Sequence, residues 1–580
     1  MSTYGTNRLS RRSIFFIYFL GVIALVIGTP AAQEQRPLGH GRNLAEQKPI
    51  PPPSNELTNK TQTLLALLNA LDVLQSSYFE VWQGNWPTGI DWTKAVIGTY
   101  LSSALLTIST SFDSLSSAKG SENLVNKYFS QLIGAYFGQD AFALRQEAYD
   151  DMLWVVLGWL ESVEFINTHS ALHYNESGWE EGSWYGQHYI PAFAHRARIF
   201  WEMASQGWDT TLCSGGMIWN PYLVPYKNAI TNELYITASI SMYLYFPGDK
   251  NTSPFGLTNP PSTTLSSEDA EPPGRPHDPK YLAAAIEAYK WLNSSNMTDA
   301  KGLYVDGYHI SGWSREQPKN GSQNTRCDSR NEMVYTYNQG VLLSGQRGLY
   351  EATGSRSYLE DGHKLVADVI AATGWDLKWN TAPPQSNALG KWEGIGRSGI
   401  LEEACDAPGF CSQDSQTFKG IFFHHFTLFC SRLPEHLVLP GGIFVGKGLN
   451  DDRELHENQC KRYGKWIRHN ADAALTTLDT EGRFGMWWGA PQRPDRRDFD
   501  PEVELPDDAV DYRNSGVPEE WKDTKRFKGK TQSQSLEDIS EKGMKVGARD
   551  LNDRGRGRTV ETQGGGVAVL RALLEVVDTR

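Results

Sequence analysis

Two adjacent carboxylates open the stretch of the chain with the most evident chemical potential, YDDMLWVVLGWLE from Tyr149. Asp150 and Asp151 precede an apolar face formed by Leu153, Val156, Leu157 and Leu160, so the spacing places them in the first turn of a helix. Acids there have an ordinary structural use, because aspartate caps helix starts and suits the positive end of the dipole. A carboxyl pair is also what glycosidic bond cleavage requires. One group protonates the leaving oxygen, and the other attacks the anomeric carbon or activates water. Successive helical residues keep their Cβ atoms about 5–6 Å apart. That spacing suits the roughly 5–5.5 Å carboxyl separation of retaining enzymes and leaves little room for an inverting water.

Other residue types fit a polyhydroxylated ligand. Trp219, Trp487 and Trp488 follow glycine-rich turns, where indoles either stack on sugar faces or plug a core. Asn338 and Gln339 offer neutral donors and acceptors suited to hydroxyls, as do Tyr226, Asn228 and Asn232. On helices these groups equally well bond neighbouring loops. His424 and His425 have no acid or third ligand at metal spacing and read as structural histidines. No cofactor or metal is expected.

Helices must position these groups. From Thr61, Leu64, Leu68, Leu71 and Leu74 share one helical face. Similar amphipathic stretches recur at 93–117, 121–137, 150–168, 188–205, 226–245, 279–295, 335–353, 355–373, 415–433, 452–478 and 564–577. That is about twelve helices, with no alternating strand series to compete. Glycine–aromatic loops punctuate them: GNWPTGIDW from Gly84, GGMIW from Gly215, GLYVDGYH from Gly302 and GRFGMWWG from Gly482. Helical hairpins repeated about six times predict an all-α toroid of six hairpins, an (α/α)6 barrel, over residues 61–580. Residues 247–278 are rich in Pro, Ser and acid, and 491–560 are dense in charge. Neither segment has the apolar content to offset its ordering entropy, so both read as surface loops or disorder.

The 580 residues carry a net charge of -13, which disfavours nucleic acid, while 12% aromatic residues suit a neutral polymer such as a glycan. Residues 1–32 read as an export signal: Arg8, Arg11 and Arg12 precede an apolar run from Ile14 to Ile27, then Thr29-Pro30-Ala31-Ala32. Retention of that run as an anchor is the one route to a membrane. Residues 33–60 form a Pro-rich linker. Sequons at Asn59, Asn175, Asn251, Asn293, Asn296 and Asn320 predict glycosylation in an exported protein. Six cysteines predict disulfides: Cys405 and Cys411 are close enough for a small loop, and Cys213–Cys327 and Cys430–Cys460 are the pairings assumed for the rest. The last residues, LLEVVDTR, carry no hydrophobic tail of the kind a GPI signal needs.

Taken in order, several segments resemble glycoside hydrolase family 76, the α-1,6-mannanases and their fungal wall relatives. These are YDDMLWVVLGWLE, CSGGMIWNPYLVPYKNAITNELYI from Cys213, YTYNQGVLLSG from Tyr335, FKGIFFHH from Phe418, GRFGMWWGAP from Gly482 and the closing TQGGGVAVLRALLE. The resemblance runs from about residue 61 to 577. It implies an (α/α)6 barrel and a secreted, retaining endo-α-1,6-mannosidase acting on the mannan backbone of cell-wall glycans through Asp150 and Asp151. It also implies that Asp306, in GLYVDGYH, holds sugar hydroxyls or orients the pair; an Asp–Gly turn is the structural alternative. Mannosyl transglycosylation uses the same carboxylates, and a non-catalytic mannan-binding protein is a third reading. The missing GPI tail and the long 491–560 insertion depart from the family pattern.

Overall fold

Fourteen α-helices are found among the described residues of this computed structural model. Those residues are 59–578 except 116, 175–182, 252–273, 317–322, 383–388, 441–442, 446–448, 491–502 and 519–549. The helices are α1 (Lys60–Ser77), α2 (Asp91–Ser109), α3 (Ala118–Gly138), α4 (Ala141–Leu144), α5 (Tyr149–His173), α6 (Ile190–Ala204), α7 (Ala229–Tyr245), α8 (Pro279–Ser294), α9 (Thr336–Thr353), α10 (Ser357–Ala372), α11 (Gln413–Phe429), α12 (Leu449–Arg462), α13 (Gly464–Leu475) and α14 (Val560–Ala572). The export segment, most of the linker, and the sequons at Asn175 and Asn320 lie outside the described residues.

Two classes of helix separate by burial. In α2, α5, α7, α9, α11 and α14 most side chains are buried, polar ones included. Burial on all sides marks a helix surrounded by protein. These six pack in a closed cycle, α2 on α5, then α7, α9, α11, α14 and back to α2. Around them, α3, α6, α8, α10, α13 and α1 each bury one face on an inner helix. The chain therefore folds as the expected (α/α)6 ring. The expected single helix 452–478 is two, α12 and α13, and α4 is one extra turn. No described helix is long and apolar enough to cross a membrane.

Inner helices approach closely where glycines remove side chains. A Cβ at Gly340 would sit 2.5 Å from the Phe422 backbone, and one at Gly420 would sit 2.9 Å from Gly565. All three expected disulfides are present, Cys213–Cys327, Cys405–Cys411 and Cys430–Cys460, with Cα separations of 5.2, 4.9 and 5.7 Å.

The sequence reading missed three small antiparallel sheets. The largest joins β1 (Tyr226–Asn228), β2 (Val305–His309) and β3 (Ser329–Val334); β4 (Gly396–Arg397) pairs with β5 (Ile400–Leu401), and β6 (Leu437–Leu439) with β7 (Ile443–Val445). Strands this short, with β1 and most of β2 buried on both faces, show no alternation to detect. Asp306 is thus a strand residue rather than part of a tight turn. Gly307 follows it because β2 lies hard against β1, where a Cβ would meet the Lys227 carbonyl oxygen at 2.5 Å.

The two insertions read as surface loops or disorder are in part described. Asp249 is buried, accepts from Arg198 Nε at 2.7 Å and pairs with His195, so the flank of 247–278 is anchored. Within 491–560, residues 503–518 and 550–559 are part of the described fold. They are ordered by specific hydrogen bonds rather than apolar burial, as detailed below.

Candidate active site

Contacts such as Thr93 Oγ1 to Glu561 Oε1 (3.0 Å), Gln413 Nε2 to the same oxygen (2.7 Å) and Trp92 Nε1 to Asp414 Oδ1 (3.0 Å) join the first turns of α2, α11 and α14 at one end of the ring. Asp150 and Asp151 occupy the first turn of α5, and β1 and β3 lead into α7 and α9 at the same mouth. Helix N-termini carry partial positive charge, so this end suits acids. Asp151 also caps its own helix, its Oδ2 accepting from the Ala148 N–H at 3.1 Å. The pair therefore does both jobs expected of it by position.

Only 4% of Asp150 is exposed. Burial pushes its carboxyl up to about 6, while the Arg513 charge, backbone N–H groups and the Trp219 indole oppose the rise. Asp151 is held well above the usual range by burial, by the Asp150 charge and by Glu147. The two environments push the acids apart: Asp150 ionises first and Asp151 keeps its proton longer. Asp151 is raised by the Asp150 and Glu147 charges, which Asp150 is spared, and Arg513, whose Nη2 lies 3.8 Å from Asp150 Oδ2, is the main charge lowering Asp150.

Asp306 faces the same charge. Its Oδ2 accepts from the Tyr226 hydroxyl at 2.6 Å and from Asn331 Nδ2 at 3.1 Å, and burial raises its carboxyl. Trp219 is half-buried, with the Arg513 guanidinium 5.3 Å from its ring; the same guanidinium is 5.8 Å from the Tyr337 ring. Tyr337 stacks on Phe418 at 3.8 Å, and Trp92 stacks on Trp154 at 5.8 Å. Asp150, Asp306, Trp219 and Tyr226 are thus brought together around one cation.

The remaining sugar-binding expectations divide. Neither polar side-chain atom of Asn228, in β1, or of Asn338, in the first turn of α9, has a hydrogen-bond partner within the described chain, although both residues are fully buried. Buried amides of this kind are normally satisfied, so both keep a ligand-binding reading. Gln339 instead braces β2 by bonding the Tyr304 N–H and carbonyl, and Asn232 clamps Met217 and the Asn228 carbonyl. Trp487 and Trp488 are corrected outright. Trp487 is fully buried beside Cys405 and Cys411 and donates to Glu402 Oε1 at 2.8 Å, and Trp488 packs on Phe423. Neither indole has an exposed face for stacking. His424 and His425 are buried and their ring pKa values are lowered, mainly by burial. Arg571 and Ser344 contact their Nδ1 atoms, a structural arrangement.

Sequence reasoning missed Arg513, Asn331, Tyr337, Asp414 and Glu233. Glu233 is fully buried on α7 with neither oxygen partnered, and burial holds it well above the usual carboxylate range. A visible sign was there for Glu233, one residue beyond the chosen Asn232. Arg513 had none, because it sits in a segment with no periodic pattern.

Residues 276–437 match the model of Glycosyl hydrolase family 76. The mannan endo-1,6-alpha-mannosidase DCW1 of Candida glabrata is 22% identical over 241 residues, covering 40% of this chain and 39% of that protein. Its namesake from Saccharomyces cerevisiae is 23% identical over 257 residues, covering 42% and 41%. The chain thus matches about two fifths of the length of these curated relatives. Dfg5 from Chaetomium thermophilum, solved in complex with glucosamine, superposes with a TM-score of 0.50 at 13% identity over 90% of this chain and 92% of that one, a likeness of fold. On the sequence matches, the chain is identified as a relative of glycosyl hydrolase family 76.

Proposed function

We propose that the protein is a retaining glycoside hydrolase that cleaves internal α-1,6-mannosyl bonds of mannan. One observation carries the reading: two adjacent carboxyls at the mouth of the ring, in environments that make them titrate apart. Asp150 is the nucleophile and Asp151 the general acid/base. An Asp150 carboxylate oxygen bonds to the anomeric carbon as the glycosidic C–O bond breaks, and the leaving oxygen takes the Asp151 proton. Water then gives its proton back to Asp151 as its oxygen displaces Asp150 from the same carbon, restoring the original anomer. Asp306 and Tyr226 form a fixed hydrogen-bonding unit beside the pair, and Asn228 and Asn338 contribute free amides for hydroxyls.

The named relatives and the three disulfides support an exported, wall-associated enzyme, with glycans on the exposed Asn59, Asn251, Asn293 and Asn296. A mannosyl acceptor in place of water would give transglycosylation with the same residues.

Unbranched α-1,6-mannan incubated with the purified protein should yield shorter oligosaccharides whose new reducing ends first appear as the α-anomer by NMR. Turnover should be bell-shaped in pH. It rises as the raised Asp150 carboxyl ionises and falls at higher pH as Asp151 loses its proton. First-formed β-anomer would sink the mechanism, and an inert mannan in the presence of active controls would sink the substrate assignment.

A further inference from the structure

Residues 503–518 lie across the mouth of the ring. Their inward side is tied down by a short list of bonds. Asn331 joins Val510 twice, accepting from its N–H at 2.8 Å and donating to its carbonyl at 3.0 Å. The Glu332 N–H donates to the Asp508 carbonyl, the Tyr335 hydroxyl donates to Asp511 Oδ1 at 2.8 Å, and Asn514 Oδ1 accepts from the Ser412 N–H at 2.6 Å. Tyr512 meets His309 at 3.0 Å. Most other residues of the segment are exposed, and only Asn514 and Val517 are buried.

From this thin strap Arg513 reaches inward. Its guanidinium lies 5.3 Å from the Trp219 ring, 5.8 Å from the Tyr337 ring and 3.8 Å from the Asp150 carboxylate. A sugar attacked by Asp150 must put its anomeric carbon within about 3–3.5 Å of a carboxylate oxygen, and the guanidinium borders that approach, 3.8 Å from Oδ2. A planar, delocalised cation also stands where a glycoside-cleaving site develops positive charge.

We infer that residues 503–518 form an autoinhibitory strap, with Arg513 as an internal ligand of the sugar-binding site that must leave before a mannan chain can enter. The inference rests on the placement of the active site at Asp150 proposed above. The strap's hold is suited to release. It consists of a few polar bonds near the surface with little apolar burial, the composition of segments that open locally without unfolding the domain. Arg513 is well compensated while seated, so it closes the site without leaving a stray charge.

Two variants test this, Arg513→Ala and replacement of residues 506–517 by a Gly-Ser tether, each checked for an unchanged cooperative melt. Exposure of the site is read without substrate, by carbodiimide coupling of an amine to Asp150 and Asp151 followed by peptide mass analysis. Both variants should label at least tenfold faster than the parent. They should also bind α-1,6-mannotriose at least tenfold tighter by calorimetry, and kcat/KM on α-1,6-mannan should rise. Unchanged labelling in a folded tether variant overturns the strap, as does a folded Arg513→Ala protein that loses turnover while its labelling stays at the parent rate. If labelling rises but no α-1,6-mannan is bound or cut, the strap stands and the substrate assignment falls.

Discussion

An Asp150→Asn protein should fold normally and turn over α-1,6-mannan at least about 10⁴-fold more slowly, beyond the about 10²–10⁴-fold of a single acid–base group because the covalent step itself disappears. Asparagine keeps the size of the side chain and still accepts from the Asp151 N–H, which Asp150 Oδ1 does at 3.1 Å. It cannot form the glycosyl ester. Folding should not suffer, because a carboxyl held up at about 6 is a net cost once ionised. The linkage sign is that of a raised group: its stabilising share is complete below the unfolded value near 3.8 and is lost as pH rises through about 6. The neutral amide avoids that loss, so above pH 6 the variant should melt no lower than the parent. Asp151→Asn should lose about 10²–10⁴-fold on mannan and recover part of that with an activated leaving group that needs no proton. Near-parental turnover by Asp150→Asn, or no selectivity between leaving groups in Asp151→Asn, would remove the role assignments.

The second large effect is on stability. Lys419, in the first half of α11, sits 2.5 Å from Asp406 Oδ2, and both side chains are buried. Lys419→Met keeps the length of the side chain and removes the cation, leaving a buried carboxylate with the Glu403 N–H at 3.0 Å and the Arg397 and Arg554 charges nearby. Breaking a buried pair from one side costs about 3–5 kcal/mol. The loss should be smaller at pH 4 than at pH 7, because Asp406 can take up a proton and shed its charge. Adding Asp406→Leu should restore part of the stability, since two apolar groups replace a pair whose desolvation was itself expensive. Urea melts at both pH values decide it. A single-variant loss under about 1 kcal/mol would mean that the pair contributes little or that water reaches Asp406.

The ring was legible in the sequence because it is made by repetition. Leucine faces such as Leu64, Leu68, Leu71 and Leu74 state the helical period directly, and the glycine–aromatic loops mark the hairpins. The aspartate pair was legible for the opposite reason: two acids opening so apolar a helix stand out. Trp487 and Trp488 were misread because an indole after a glycine-rich turn has the same local sequence whether it faces a sugar or a core; burial decides, and burial is tertiary. Arg513 was hidden more deeply. Its segment orders through side-chain bonds from Asn331, Tyr335 and the loop before α11, partners that lie about 100 to 180 positions away, and compositional reasoning counts apolar area instead. Asp306 was found through the family resemblance and then relocated, from a turn to a strand, by pairings no alternating pattern announced.

The closed cycle of inner helices has a consequence in time. The last stave, α14, is wedged between α2 and α11 and also packs against α1, and near its end the Thr63 hydroxyl meets the Asp578 carboxylate. A ribosome that has released everything up to α11 has therefore delivered five of six staves and no barrel: α2 lies with one flank bare, awaiting a neighbour more than 450 positions downstream. Contacts of such long sequence separation form slowly and leave apolar surface uncovered meanwhile. The nascent chain should thus depend on chaperone cover until α14 emerges, and then acquire protease resistance in a single late step.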